Sequence, residues 1–317
     1  MKKSSKYFLY LGLLISSIPS SSLYGKFSMQ KVYNFFKFSK HETVLEKEYQ
    51  LEKPGMLTVH NADGNISITT EWNRKEVRMK ATKRAGKEEN LALLTVKAKH
   101  KKYPDGDRLL ISSVSNKNID GVVDYQFIVP ANIKLNLHTE TGNIRVHDVK
   151  GPVVAKAVNG DIQVGKIANG VSAQTEESGS IIIEKAQDNI KAVTNGKGDI
   201  SIKDATKCVV ASTQKGNIDT ICSNIPTKGK IKLHSEVSGA ITLAMPTSVN
   251  ATVLGKTERG RLTSDLDITM KPFTAKLNRQ TRRDLERQVH GIMGTGSAEI
   301  QLSSTSGNIR IVETEAA

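Results

Sequence analysis

The chain has 317 residues, 38% hydrophobic and 5% aromatic, which is enough for one long domain or two short ones with a real core. Its 46 Lys and Arg against 32 Asp and Glu give a formal net charge of +14, a balance that suits an anionic partner or a well-solvated surface. The only cysteines, Cys208 and Cys222, and the seven dispersed histidines exclude a cysteine-rich scaffold, a C-x-x-C zinc or redox motif and an H-E-x-x-H metal helix.

Residues 1–25 carry Lys2, Lys3 and Lys6, then the apolar run "YFLYLGLLISSIP", then "SSSLYG", which is the order of a secretory signal peptide. The run is too short to span a bilayer comfortably, since a spanning helix needs about 20 apolar residues. Cleavage is expected between Ser22 and Lys26, with an uncleaved signal anchor as the alternative. No cysteine near that boundary offers a lipid attachment site, and no later segment is apolar enough for a transmembrane helix. The expected location is therefore the periplasm, the cell surface or the exterior. Export makes nucleic acid an unexpected partner and leaves cell-wall polysaccharide, an anionic lipid surface or a host surface.

Residues 26–42 hold Phe27, Phe35, Phe36 and Phe38 among lysines. They read equally as a membrane-interface segment or as a strand-free linker or first helix resting on the end of the stack. Residues 43–130 are strand-like, with "GMLTVHNADGNISITTEW", "EVRMKATKRA", "LTVKAKHKK", "RLLISSVS" and "VVDYQFIVP" separated by charged or Gly/Pro/Asp turns. Lys87 to Leu93 suits a helical turn. This region is expected to form an N-terminal sheet that pairs with or caps the first repeat, because an uncapped stack exposes strand edges.

The region 131–314 repeats. Gly142-Asn143-Ile144, Gly160-Asp161-Ile162, Gly179-Ser180-Ile181, Gly198-Asp199-Ile200 and Gly216-Asn217-Ile218 have glycine spacings of 18, 19, 19 and 18. Weaker copies stand at Gly239-Ala240-Ile241 and Gly260-Arg261-Leu262, and outlying ones at Gly64-Asn65-Ile66 and Gly307-Asn308-Ile309. Alternating residues such as Val171-Ala173-Thr175 precede each glycine, and pairs such as Ile181-Ile183 follow it, so each copy reads strand, turn, strand. A unit this small cannot bury its own apolar face, and stacking solves that. The expected fold is all-β, a β-solenoid-like stack of strand-turn-strand repeats of 18–19 residues, with thin Val/Ile, Ala, Thr and Ile columns.

The stretch "TNGKGDISI" is then a turn and not a phosphate loop: the third glycine of that motif falls on Ser201, and the alternation of Ile200 and Ile202 denies the helix it needs. Gly255-Lys256-Thr257 resembles the end of a P-loop, but its upstream glycine falls on Asn250. Pro272 to Gly291 is a basic insertion, with Arg279, Arg282, Arg283 and Arg287 beside Leu277, Leu285 and Val289 at multiples of four, and it suits a short amphipathic helix. Cys208 and Cys222 border loops of successive rungs, so a cross-rung disulfide is geometrically open to them.

No catalytic, cofactor or metal constellation emerges. His138 and His147 flank the first turn of the array, and His234 falls on an outward strand position. Asp161 and Asp199 stand two rungs apart, about 9–10 Å by strand spacing, which is within the range of an inverting glycosidase pair. Their equivalents Asn143, Ser180 and Asn217 point instead to a turn ladder.

"GMLTVHNADGNISI", "FIVPANIKLNLHTETGNIRV", the repeating turns, "GRLTSDLDI" and "GIMGTGSAEIQLSSTSGNIRI" together resemble a bacterial β-strand-repeat family labelled "putative adhesin", over roughly Leu45 to Glu313. The resemblance implies an all-β repeat fold at the cell envelope or surface and no defined biochemical role. The function expected is an exported, non-catalytic binding or structural module. Two alternatives are a carbohydrate-active enzyme on a solenoid face, and electrostatic contact with anionic envelope polymers through Arg279, Arg282, Arg283 and Arg287.

Overall fold

The computed structural model describes residues 41–53, 55–71, 75–114, 120–270 and 286–314, all within one compact unit. The expected signal segment, the aromatic stretch to residue 40, and Arg279, Arg282 and Arg283 lie outside the described residues.

The N-terminal strands are β1 (His41–Gln50), β2 (Met56–Asp63), β3 (Ile66–Glu71), β4 (Glu76–Ala85), β5 (Thr95–Lys101), β6 (Arg108–Val114) and β7 (Gly121–Pro130). A six-residue helix, Glu88–Leu93, stands where the helical turn is expected. The repeats follow as pairs: β8 (Lys134–Thr141) with β9 (Ile144–Val146), β10 (Val153–Asn159) with β11 (Ile162–Ile167), and β12 (Val171–Ser178) with β13 (Ile181–Ala186). Next come β14 (Ile190–Lys197) with β15 (Ile200–Ala205), β16 (Val209–Lys215) with β17 (Ile218–Cys222), and β18 (Lys230–Ser238) with β19 (Ile241–Met245). The chain closes with β20 (Ala251–Thr257), β21 (Leu262–Ser264), β22 (Thr269–Met270), β23 (Gln288–Met293), β24 (Ala298–Ser304) and β25 (Ile309–Glu313).

Each rung gives one strand to each of two sheets. Sheet A runs β1-β4-β7-β3-β9-β11-β13-β15-β17-β19-β25-β21, and sheet B runs β22-β23-β20-β24-β18-β16-β14-β12-β10-β8-β2-β6-β5. Pairing between successive rungs is parallel, as in Val171 opposite Ile190 and Ala173 opposite Ala192. The rungs that end on Gly179, Gly198 and Gly239 carry one more residue, as a bulge, between the buried Thr or Ser and the turn glycine than their neighbours do, and there the register shifts.

The two sheets enclose the columns that the alternation implies. Ile66, Ile144, Ile162, Ile181, Ile200, Ile218, Ile241 and Ile309 are fully buried along sheet A. Opposite them on sheet B, the Ala155, Ala173, Ala192 and Ala211 column widens to Leu137 at one end and Leu233 and Leu302 at the other. Small residues in the middle let the sheets approach closely, and larger ones fill the ends. Tyr125 and Phe127, ring centroids 5.6 Å apart, fill the N-terminal end.

Thr220 interrupts an aliphatic column between Ile202 and Leu243, and its buried hydroxyl has no partner among the described residues. Thr220→Val keeps the shape and removes the unpaired group, so it is expected to raise stability by about 1 kcal/mol in a denaturant titration. A loss of stability would show that the hydroxyl is bonded in solution.

The N-terminal region both pairs with the first repeat and caps it: β2 and β3 form a full rung, paired in parallel with β8 and β9, while β1, β4 and β7 extend sheet A and β5 and β6 extend sheet B. At the other end, β24 and β25 lie between the β18/β19 and β20/β21 rungs, so chain order and stacking order part. The described part of the basic insertion is also corrected. Gln288–Met293 is strand β23, antiparallel to β20 and β22, with Val289, Gly291 and Met293 turned inward. A spacing of four is even, so it satisfies the period of a strand as well as that of a helix.

Candidate functional site: a cationic sheet face

The turn edge is built first by the glycines. A Cβ on Gly142, Gly160, Gly179, Gly198, Gly216, Gly239 or Gly307 would come within 1.7–2.1 Å of the carbonyl oxygen of the preceding turn glycine in the stack. Gly260 meets Gly307 in the same way at 2.0 Å, which confirms the altered rung order. Buried hydroxyls close these turns from inside, with Thr175 donating to the Gly179 carbonyl and Thr213 to that of Gly198.

The next residue in each rung forms a second ladder. Asn65, Asn143, Asp161, Ser180, Asp199 and Asn217 each accept, through a side-chain oxygen, the backbone N–H of the equivalent residue one rung on, at 2.7–3.3 Å. The carboxylates of Asp161 and Asp199 are therefore members of a structural ladder with Ser180 between them. The ladder is interrupted at Ala240, which has no acceptor to offer Asn308, and resumes where the Asn308 Oδ1 accepts the Arg261 N–H at 3.0 Å.

Cys208 and Cys222 are free thiols, so the disulfide that the sequence leaves open to them is not formed. Cys222 turns inward at the end of β17, stacked on Ala205 in the core, and burial pushes its thiol up to about 12. Cys208 lies before β16 in the other sheet, where its Sγ accepts the Lys230 N–H at 3.4 Å.

The outward faces of the two sheets differ in charge. On sheet A, most strand cations are paired with carboxylates on neighbouring strands, Arg78 with Glu48, Lys80 with Glu46, Arg84 with Asp124, Lys185 with Asp204 and Lys203 with Glu184, while Arg145 and Lys166 meet no ion-pair partner among the described residues. Burial raises the Asp204 carboxyl, but its bonds to Lys185 and Ser223 win and hold it below the ordinary value. A recess of about 360 Å³ on this face is lined by Asn65, Ser67, Asp124, Gln126, Asn143 and Arg145. Asp124 is already occupied by Arg84 and by the backbone N–H and side-chain amide of Asn65.

On sheet B, the outward positions of successive strands stack into three columns. The column nearest the strand starts holds Lys101, Arg108, Lys134 and Lys230; the middle one holds Lys99, Lys191 and Lys232; the third holds Lys97, Lys156 and Lys256. The one carboxylate in these columns is Glu299, paired with Lys230 at 3.1 Å. Among the described residues, Lys97, Lys99, Lys101, Lys134, Lys191, Lys232 and Lys256 meet no ion-pair partner, and all are exposed.

Four of the seven histidines, His60, His138, His234 and His290, also point outward from sheet B. The His60 and His138 rings stand 5.8 Å apart. Burial, then the positive charge that His60 and Lys156 can bring, holds His138 below the ordinary histidine value. His138 therefore gains its charge only at a pH below the ordinary histidine range.

An acidic column, Glu140, Glu176 and Glu236, borders the cationic ones on the side of the turns. Glu176 is held low by hydrogen bonds from Lys156 and then Asn195, at 2.7 Å each. Of the basic residues singled out by sequence, Arg287 is half-buried beside β23. The insertion runs from β22 to β23, two antiparallel strands at the end of sheet B. No group of three or more His, Cys, Asp or Glu side chains among the described residues could hold a metal ion, and no helix among them is long and apolar enough to cross a membrane.

Short rungs feeding two mainly parallel sheets, closed at one edge by a glycine column and an Asn/Asp ladder, define a solenoid-like β-stack. The chain belongs to the Toastrack DUF4097 family, whose model matches residues 111–312. No curated protein matches it. Similar solved structures include a putative adhesin from Bacteroides fragilis NCTC 9343, 12% identical, with 86% of this chain and 97% of that one covered and a TM-score of 0.44. A putative cell adhesion protein from Clostridium sporogenes ATCC 15579 is 12% identical over 86% and 100% of the two chains, with a TM-score of 0.28. A putative adhesin from Parabacteroides distasonis ATCC 8503 is 10% identical over 86% and 97%, with a TM-score of 0.40.

Proposed function

We propose that this protein is an exported, non-catalytic binding module of the cell envelope or surface, acting through the broad outer face of sheet B. The observation that carries this reading is the set of exposed lysines that recur on that face without ion-pair partners, while the cations of sheet A are largely neutralised in place. Unpaired charge on a regular sheet is available to a partner with no ion pair to break and no backbone to order, so the ordering cost is that of the lysine side chains alone. The enzyme reading draws no support from Asp161 and Asp199, whose carboxylates serve the turn ladder.

Fractionation of the producing cell, with protease shaving and mass determination of the N-terminus, tests the reading. The mature protein is expected outside the cytoplasm, cut between Ser22 and Lys26, and sedimenting with isolated envelope at low salt but not at high salt. Full-length protein confined to the cytosol, or failure to sediment with envelope at any salt, would overturn it.

A further inference from the structure

We propose that the ligand of sheet B is a linear acidic polysaccharide lying along the stack axis, across the strands; this rests on the binding role proposed above. Strands in a sheet are about 4.8 Å apart. From β5 to β20, sheet B places Lys99, Lys134, Lys156, Lys191, Lys232 and Lys256 along a track that shifts among the three columns, all but Lys156 without an ion-pair partner among the described residues. The track crosses ten strand intervals, about 48 Å, with a cation on average every ~10 Å. That spacing suits a polymer whose charges are separated by sugar-sized units.

Two other anionic partners fit less well. Nucleic acid carries a charge every ~1.7 Å along a duplex, far denser than the track, and its single strands are held by stacking bases on aromatic rings. The outward positions of sheet B that form the three columns contain no Phe, Tyr or Trp. An anionic bilayer is flat and would press on the acidic column as well as the cationic ones, since Glu140, Glu176 and Glu236 lie only about 7 Å further along their strands. A single polymer chain can follow the unpaired lysines and meets the acidic column only where Glu176 reaches Lys156.

The test uses the mature full-length protein, polygalacturonate as the probe, and titrations over a range of salt. The double variant Lys191→Glu/Lys232→Glu is expected to lose at least about tenfold in affinity and to flatten the dependence of log K on log salt by about two. A control of equal charge change on sheet A, Arg145→Glu/Lys166→Glu, is expected to bind like wild type, with unchanged melting curves showing that both variants fold. Equal loss in the two variants would overturn the assignment to sheet B. Tighter binding to duplex DNA, or to vesicles of equimolar phosphatidylcholine and phosphatidylglycerol, would overturn the choice of polymer. Wild type that sediments with envelope yet ignores polygalacturonate would sink this inference alone, whereas loss of envelope binding as well would sink the proposed function with it.

Discussion

Gly198→Ala is expected to destabilise the protein by on the order of 2–4 kcal/mol, and Gly179→Ala by somewhat more. At both positions the new Cβ would stand 1.9 Å from the carbonyl oxygen of the turn glycine one rung below. For Gly198 that oxygen belongs to Gly179 and already accepts the Thr175 hydroxyl, so it cannot swing aside without breaking a buried bond. Gly179 adds a second obstacle, a φ of 143° that a residue with a Cβ rarely adopts. The two variants therefore separate crowding, present in both, from backbone conformation, present in one. Gly170→Ala is the control, since its Cβ would meet only the Asn189 carbonyl oxygen, at 3.2 Å. Denaturant titrations followed by circular dichroism measure all three, and a Gly198→Ala protein as stable as the Gly170→Ala control would refute the close-approach account.

The second large effect is expected from removing residues 298–317. Ile300, Leu302, Ile309 and Ile311 are each no more than 2% exposed, and β24 and β25 pair with a strand on both sides. Losing four such side chains from the core forfeits on the order of 6–12 kcal/mol, as much as an ordinary domain's entire stability. The deleted rung is internal, so β20, β21 and β23 lose their attachment while the rungs from β8 to β17 keep theirs. Hydrogen exchange should then show residues 251–257 and 288–293 without protection and residues 153–222 still protected. Full protection at 251–257 would mean that the β20/β21 rung re-docks directly on β18/β19, and the dependence argued here would be wrong.

What the sequence makes legible is whatever repeats locally. The glycine, the small polar residue after it and the two Ile positions recur at 18 or 19 residues, and they yield the strands, the columns and the turn ladder. The order of the last rungs is not legible, because Gly260-Arg261-Leu262 and Gly307-Asn308-Ile309 carry the same signature and either could follow Gly239. Only the longer spacing across Ser223 to Gly229, where Lys228 takes a φ of 65°, marks that end of the array as irregular. The cationic face is hidden for a different reason. Lys134, Lys156, Lys191 and Lys232 are scattered along the chain and share a surface only through the register of strands far apart in sequence. Aligning outward positions by the repeat period would have brought them together. The cysteines mislead because loop proximity says nothing of direction: Cys222 turns into the core and Cys208 towards the Lys230 amide.

The altered rung order also has a mechanical side. In a stack that ended in chain order, tension applied to residues beyond Glu313 would peel the last rung away one hydrogen bond at a time. Here that tail leaves from a rung held by β18 and β19 on one flank and by β20 and β21 on the other. Extracting it requires both flanks to yield together, so the rate of forced unfolding from this end is set by a doubly anchored strand pair. The C-terminal end is in this way locked by topology alone, while Cys208 and Cys222 stay free thiols.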